Sequence, residues 1–170
     1  MHHPGASGAT GVPEHPEDAM QRTVERMLRT HPESAFAPAD PLTMCIYACV
    51  ECAQACTACA DACIAEHDRA LAPCIRTALD CADLCQAASR VLSRQLAPDL
   101  GVVSMTLQLC ATVCDACAYE CRRHAATYAH CDVCAAACRR CTDACRGLLA
   151  TTVTTYRDRG PYEAGEHAGA

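Results

Sequence analysis

The stretch CIYACVECAQACTACADAC, residues 45–63, sets Cys45, Cys49, Cys52, Cys56, Cys59 and Cys63 at steps of four, three, four, three and four. Residues three and four apart share one face of an α-helix, whereas a strand would need steps of two. The pattern recurs downstream. Cys110, Cys114, Cys117 and Cys121 repeat it, and Cys131, Cys134, Cys138, Cys141 and Cys145 alternate three and four. A sparser set, Cys74, Cys81 and Cys85, has Ala78 and Ala88 in the phase of its missing members. These groups hold all 18 cysteines of the 170-residue chain. The intervening positions are mostly alanine, a strong helix former. Four helices are therefore expected, each with a thiol stripe where a bundle would normally carry leucine.

The breaks agree with four helices. Asp40-Pro41 joins an N-cap residue to one favoured at the first helical position. His67-Asp68 and Pro73 separate the first helix from the second, and Ala97-Pro98-Asp99 separates the second from the third. A third turn is expected within 122–130, because one rod from 99 to 149 would leave its thiol stripe uncovered. Short connections make sequential helices antiparallel neighbours. The expected fold is all-α, an up-down-up-down antiparallel four-helix bundle over 41–149. Residues 1–40 read as a disordered extension with a short amphipathic helix at about 17–30, where Met20, Val24, Met27 and Leu28 fall at helical spacing. Residues 150–170 read as a flexible tail.

Composition narrows the function. The net charge is −6 and the pI near 5.7, which argues against nucleic acid as the main partner. Tryptophan is absent, phenylalanine occurs once and aromatics make up 4%, so a conventional aromatic core is excluded. No signal segment and no apolar run long enough for a membrane helix is read from the sequence. A cytoplasmic setting is expected, where thiols stay reduced and a large cysteine set points to metal or redox chemistry. No nucleophile with a base and an orienting acid stands out, so no enzyme activity is expected.

Topology gives the bundle two unlike ends. One collects Cys63, His67, Cys74, Cys121, His124 and Cys131, with His67 and His124 extending their stripes by one helical step. His130 stands beside Cys131 but off its stripe. The other end collects Leu42, Leu92, Val103, Leu107 and Leu148, flanked by Met44 and Met105, and reads as an apolar plug. His2, His3 and His15 lie in the extension.

The stripes fit a metal store better than single structural cysteines. The CxxC matches, such as Cys56–Cys59, follow from any helical stripe and do not specify zinc. A zinc held by four thiolates carries about −2 of charge, and burying several along one axis is costly. Cu(I) is soft and monovalent, so one thiolate per ion leaves the tube neutral. A disulfide- or zinc-stabilised helical structural protein is the alternative.

The segments CVECAQACTACADAC, CIRTALDCADLC, CATVCDACAYEC and CDVCAAACRRCTDAC resemble those of the bacterial copper storage proteins over about 41–149. The resemblance implies a cytosolic four-helix bundle, often a homotetramer, that stores many Cu(I) ions per chain along its core. It also implies admission of copper at a histidine-bearing end. His67, His124 and His130 are the candidates, with His124 the closest match.

Overall fold

The structure is a computed structural model that describes residues 16–32 and 41–159, with side chains described for 23–32 and 41–151. Its elements are α1 (Pro16–Arg29), α2 (Pro41–Ala65), a 3-10 turn (Arg69–Leu71), α3 (Ala72–Leu92), α4 (Leu100–His124) and α5 (Ala129–Arg159). No strand occurs among the described residues. Helices α2 to α5 form the bundle. Each packs on its chain neighbours, and α5 closes the ring on α2.

The helix ends follow the local chemistry. At α4 the Asp99 carboxylate accepts hydrogen bonds from the backbone N–H of Gly101 and Val102, at 2.8 and 3.0 Å. That satisfies two of the donors a helix start leaves unpaired. Pro73 sits in the first turn of α3, where its missing N–H costs nothing. The expected third turn lies between His124 and Ala129. His67 and Ala97 take left-handed backbone conformations, φ 54° and 42°, where the chain leaves α2 and α3.

Two expectations are corrected. Residues 150–159 continue α5 rather than starting a tail. They carry no thiol stripe, but helix propagation needs no burial, and the first strong breakers are Gly160 and Pro161. Residues 160–170 lie outside the described residues. In addition, α2 and α4 reach mean hydropathies of 1.4 and 1.5 over 18 residues, enough by that measure to cross a bilayer. Cysteine and alanine supply much of that value, and 56% of the α2 window is buried inside the bundle.

Within the short first helix, Val24 and Leu28 pack against the bundle core, whereas Met27 is exposed. The Met20 side chain, His2, His3, His15 and the Asp40 cap lie outside the described residues.

The core is made of thiols, alanines and a few leucines. All 18 cysteines are buried, and so are Ala78, Ala88 and Ala135 in the gaps between them. At one end Leu42, Leu92, Leu107 and Leu148 are buried together, and Leu42, Leu92, Val103 and Leu148 line a small cavity there with Gln95. This is the expected plug. Met44 and Met105 flank it from the exposed surface. Ion pairs across the outside tie α5 to its neighbours, Arg140 to Glu51 of α2 and Arg146 to Asp115 of α4.

Candidate metal centre

Four helices aim every thiol at one axis, so the sulfurs form a continuous network. At the plugged end Cys45 and Cys145 approach to 3.7 Å, and Cys49 lies 3.7 Å from Cys141. In the middle Cys85 and Cys114 are 3.4 Å apart, Cys56 and Cys138 3.5 Å, and Cys52 and Cys138 3.6 Å. Toward the other end Cys74 and Cys121 are 3.5 Å apart, while Cys63 lies 3.9 Å from both Cys74 and Cys131. These separations are well above the roughly 2.05 Å of a disulfide.

Several quartets hold their sulfurs within 4.8 Å of one another. They include Cys49–Cys110–Cys141–Cys145, Cys52–Cys85–Cys114–Cys141, Cys52–Cys56–Cys81–Cys138, Cys56–Cys117–Cys134–Cys138 and Cys59–Cys63–Cys74–Cys131. Cys52, Cys56, Cys138 and Cys141 each belong to two of these. Independent tetrahedral zinc sites would need separate quartets. Shared sulfurs are what bridging thiolates need.

Protons are distributed unevenly through this network. Burial, followed by the charge of Cys59, pushes Cys63 and Cys131 up. Cys59 itself is held well below the usual thiol range by S–H donors from Cys121, Cys134 and Cys74. The Cys121 thiol favours ionised Cys74, but Cys59, burial and Cys63 outweigh it and push Cys74 up to about 12. At the far end Cys145 and Cys49 lower Cys45 to about 5. A thiolate here is thus stabilised by neighbours that must keep their own protons.

The three histidines take different places from those expected. His130 Nδ1 lies 3.5 Å from the sulfur of Cys131, 3.6 Å from Cys59 and 3.9 Å from Cys63. It therefore joins the last thiol quartet. Its Nε2 is buried 3.6 Å from Glu66 Oε1, just beyond hydrogen-bond distance. A carboxylate behind a ring nitrogen favours the tautomer whose other nitrogen is a free ligand. Tyr128 stacks on the ring with centroids 5.7 Å apart, and its hydroxyl donates to Asp68 Oδ2 at 3.0 Å. That bond links the α2–α3 connection to the α4–α5 turn, over the end of the thiol channel.

His124, the expected leader, does not reach the sulfurs. Its Nε2 pairs with Glu120 at 3.1 Å, and Arg123 pairs with the same carboxylate at 2.8 Å. Burial would push Glu120 up, yet these two partners hold it below the usual carboxylate range. His67 is exposed, because α2 ends at Ala65 and the stripe is not continued past it. Glu66, Tyr128 and Glu120 were missed from the sequence; a carboxylate one residue from a candidate histidine was the signal for Glu66.

A four-helix bundle whose buried thiols form quartets with shared members, with the His130 imidazole beside the last of them, defines a soft-metal thiolate protein. The profile of the copper storage protein family matches residues 39–150, and the chain belongs to that family. It is similar to the copper storage protein Ccsp of Streptomyces lividans, in a structure loaded with 10 copper equivalents. The identity is 49% and the TM-score 0.67, covering 75% of this chain and 98% of that one. A structure of the cytosolic Streptomyces lividans protein with five coppers is 53% identical at a TM-score of 0.62, covering 65% and 92%. The uncharacterized cysteine-rich protein YhjQ of Bacillus subtilis is 36% identical over 107 residues, covering 62% of this chain and 94% of its own length.

Proposed function

We propose that this chain is a cytosolic store that takes up many Cu(I) ions on its core thiolates and works as a homotetramer. One observation carries the reading: 18 buried thiols form a single network whose quartets share members. Bridging lets each sulfur serve two ions and each ion two sulfurs, so one thiolate balances each ion and charge does not build up along the axis. The spacing suits the chemistry. With metal–sulfur bonds of about 2.3 Å, the zinc–thiolate value taken as a scale, sulfurs around a three-coordinate ion sit about 4.0 Å apart. Two on opposite sides of an ion sit about 4.6 Å apart. The observed 3.4–4.0 Å separations reach the first by rotamer adjustment and the second by a further small spreading.

His130, with Cys59, Cys63 and Cys131, is the proposed point of admission. A neutral imidazole accepts an ion without losing a proton, whereas each protonated thiol must release one. The ion then passes inward as thiolates exchange. Leu42, Leu92, Leu107 and Leu148 close the opposite end.

Anaerobic titration with Cu(I), set against the free-thiol count, tests the proposal. Storage gives about eighteen reactive thiols and saturation well above ten ions per chain. Saturation at four or fewer, or prior loss of thiols to disulfides, would favour the structural alternative.

A further inference from the structure

The mouth of the thiol channel is shut in this structure. Cys59, Cys63, Cys74 and Cys131 are at most 2% exposed. The His130 side chain is 23% exposed, yet its Nε2 is buried and its Nδ1 is turned to three of those sulfurs. An ion arriving from water therefore has no open route to a donor atom, and some part of the mouth must move first. The contacts around His130 show which part. Tyr128 stacks on its ring and packs against the core. The Tyr128 backbone is tied on both sides: its N–H donates to the His124 carbonyl at 2.9 Å, and its carbonyl accepts from the Cys131 N–H at 3.0 Å. Its hydroxyl donates to Asp68 Oδ2. Asp68 is fixed in turn, because its Oδ1 accepts from the Ala70 N–H at 2.9 Å and caps the 3-10 turn. Among the described residues, Tyr128–Asp68 is the one hydrogen bond joining the α2–α3 connection to the α4–α5 turn.

We infer that the Tyr128–Asp68 bond is a latch on this mouth, closed when it holds the stacked Tyr128–His130 pair over the thiols and open when it lets the pair swing outward. Tyr128 is a positioning residue that acts through His130; it is not a ligand. Three features support a latch. First, both partners sit in connections between helices, so breaking the bond requires no helix to shift. Second, Asp68 is exposed, so water competes for its carboxylate. A single hydrogen bond of that kind biases a two-state equilibrium by about five- to ten-fold, enough to keep the mouth mostly shut and little enough for it to open unaided. Third, the rings of Tyr128 and His130 stack with centroids 5.7 Å apart and planes 29° from parallel, which couples the hydroxyl's position to that of the imidazole.

The latch has a consequence for loading. A gate on the path of the ion slows entry and exit by the same factor, so it sets how fast the store fills and empties and leaves affinity and capacity alone. The inference rests on His130 as the point of admission in the proposed function, whereas the opening of the mouth itself is independent of the metal.

Tyr128→Phe in the full chain tests it, because the ring and its stacking stay and only the hydroxyl goes. Transfer of Cu(I) from a coloured chelator, and its withdrawal by an excess of chelator, should both be about five- to ten-fold faster than in the wild type. Capacity, affinity and helical circular dichroism should be unchanged. Asp68→Ala should also speed both directions, and adding Tyr128→Phe to it should bring no further gain, since the two residues share one bond. Alkylation of the metal-free chain by iodoacetamide, mapped by mass spectrometry, reads the opening without copper. In Tyr128→Phe, Cys63 and Cys131 should be labelled faster by the same factor, with Cys45 and Cys145 at the plugged end unchanged. Wild-type rates for Tyr128→Phe in both assays, acceleration of entry alone, additive effects in the double variant, or faster labelling of all thiols alike would each overturn the inference. Faster labelling of Cys63 and Cys131 in a chain that takes up no copper would uphold the latch and refute the storage reading instead.

Discussion

Replacing His130 by alanine should change how the first copper ion is taken up and barely change how many are held. The imidazole Nδ1 lies 3.5–3.9 Å from three sulfurs, so in the proposed reading it supplies one donor of the outermost site. Without it, Cys59, Cys63, Cys74 and Cys131 still lie within 4.8 Å of one another, so the site keeps four sulfurs. Capacity should drop by at most one ion. The first-ion affinity should fall about 10–100-fold, or about 1.4–2.7 kcal/mol. The pH dependence should sharpen as well. A neutral nitrogen binds without proton release, and the thiol that replaces it must lose a proton. The first-ion binding constant should therefore fall by about ten-fold more per unit decrease in pH than in the wild type. Stopped-flow transfer of Cu(I) from a coloured chelator, repeated between pH 7.5 and 9 in anaerobic buffer, where a free imidazole carries no extra proton, measures both effects. An unchanged rate with an unchanged pH slope would refute the reasoning. A larger effect from His124→Ala, whose ring faces Glu120, would refute it too.

Further expectations follow from the same geometry. Bulk copper affinity should weaken as pH falls, by roughly ten-fold per unit for each thiol proton displaced, about one per ion where every sulfur is shared by two ions, because burial pushes groups such as Cys63 and Cys131 up. Competition with a chelator at several pH values reads this slope. Glu120→Gln should cost about 1–2 kcal/mol at pH 7, since it removes a buried carboxylate paired with both His124 and Arg123. The carboxylate is depressed in the folded state. Its contribution is present above the unfolded value near ~4.3 and is lost as pH falls through the folded value, so thermal melts of wild type and variant should converge in acid. Leu107→Ala in the plug should cost the apo protein about 2–5 kcal/mol in denaturant titrations, with Cu(I) capacity intact, because Leu107 is fully buried and is not a ligand.

The bundle was legible in the sequence because its core residues are of one kind. Cysteine marks the buried face, so steps of three and four gave helix, phase and core together, and Pro73 and Asp99 marked where helices begin. The histidine mouth was less legible. Extending a stripe past a helix assumes that the helix continues. After Ala65 it does not, and His67 turns left-handed into an exposed loop. His124 stays on its helix, but Glu120 one turn earlier captures its ring. His130 read as off the stripe because phase was counted within its own helix. It stands in the first turn of α5, where its ring reaches across to Cys59 and Cys63 of α2. Contacts between helices are not encoded in the period of either one. The end of α5 was misread for a related reason. Loss of thiols at Cys145 marks the end of the channel, whereas the helix itself runs on to Arg159.

The central claim is that copper fills the whole thiol axis through shared sulfurs. Anomalous scattering at the copper edge from crystals loaded with excess Cu(I) tests it most directly. The account expects a chain of copper peaks between the helices, running from the Cys45–Cys145 pair to the Cys63–Cys131 pair, with most sulfurs touching two peaks. Copper confined to isolated four-sulfur sites, or to histidines outside the bundle, would contradict it.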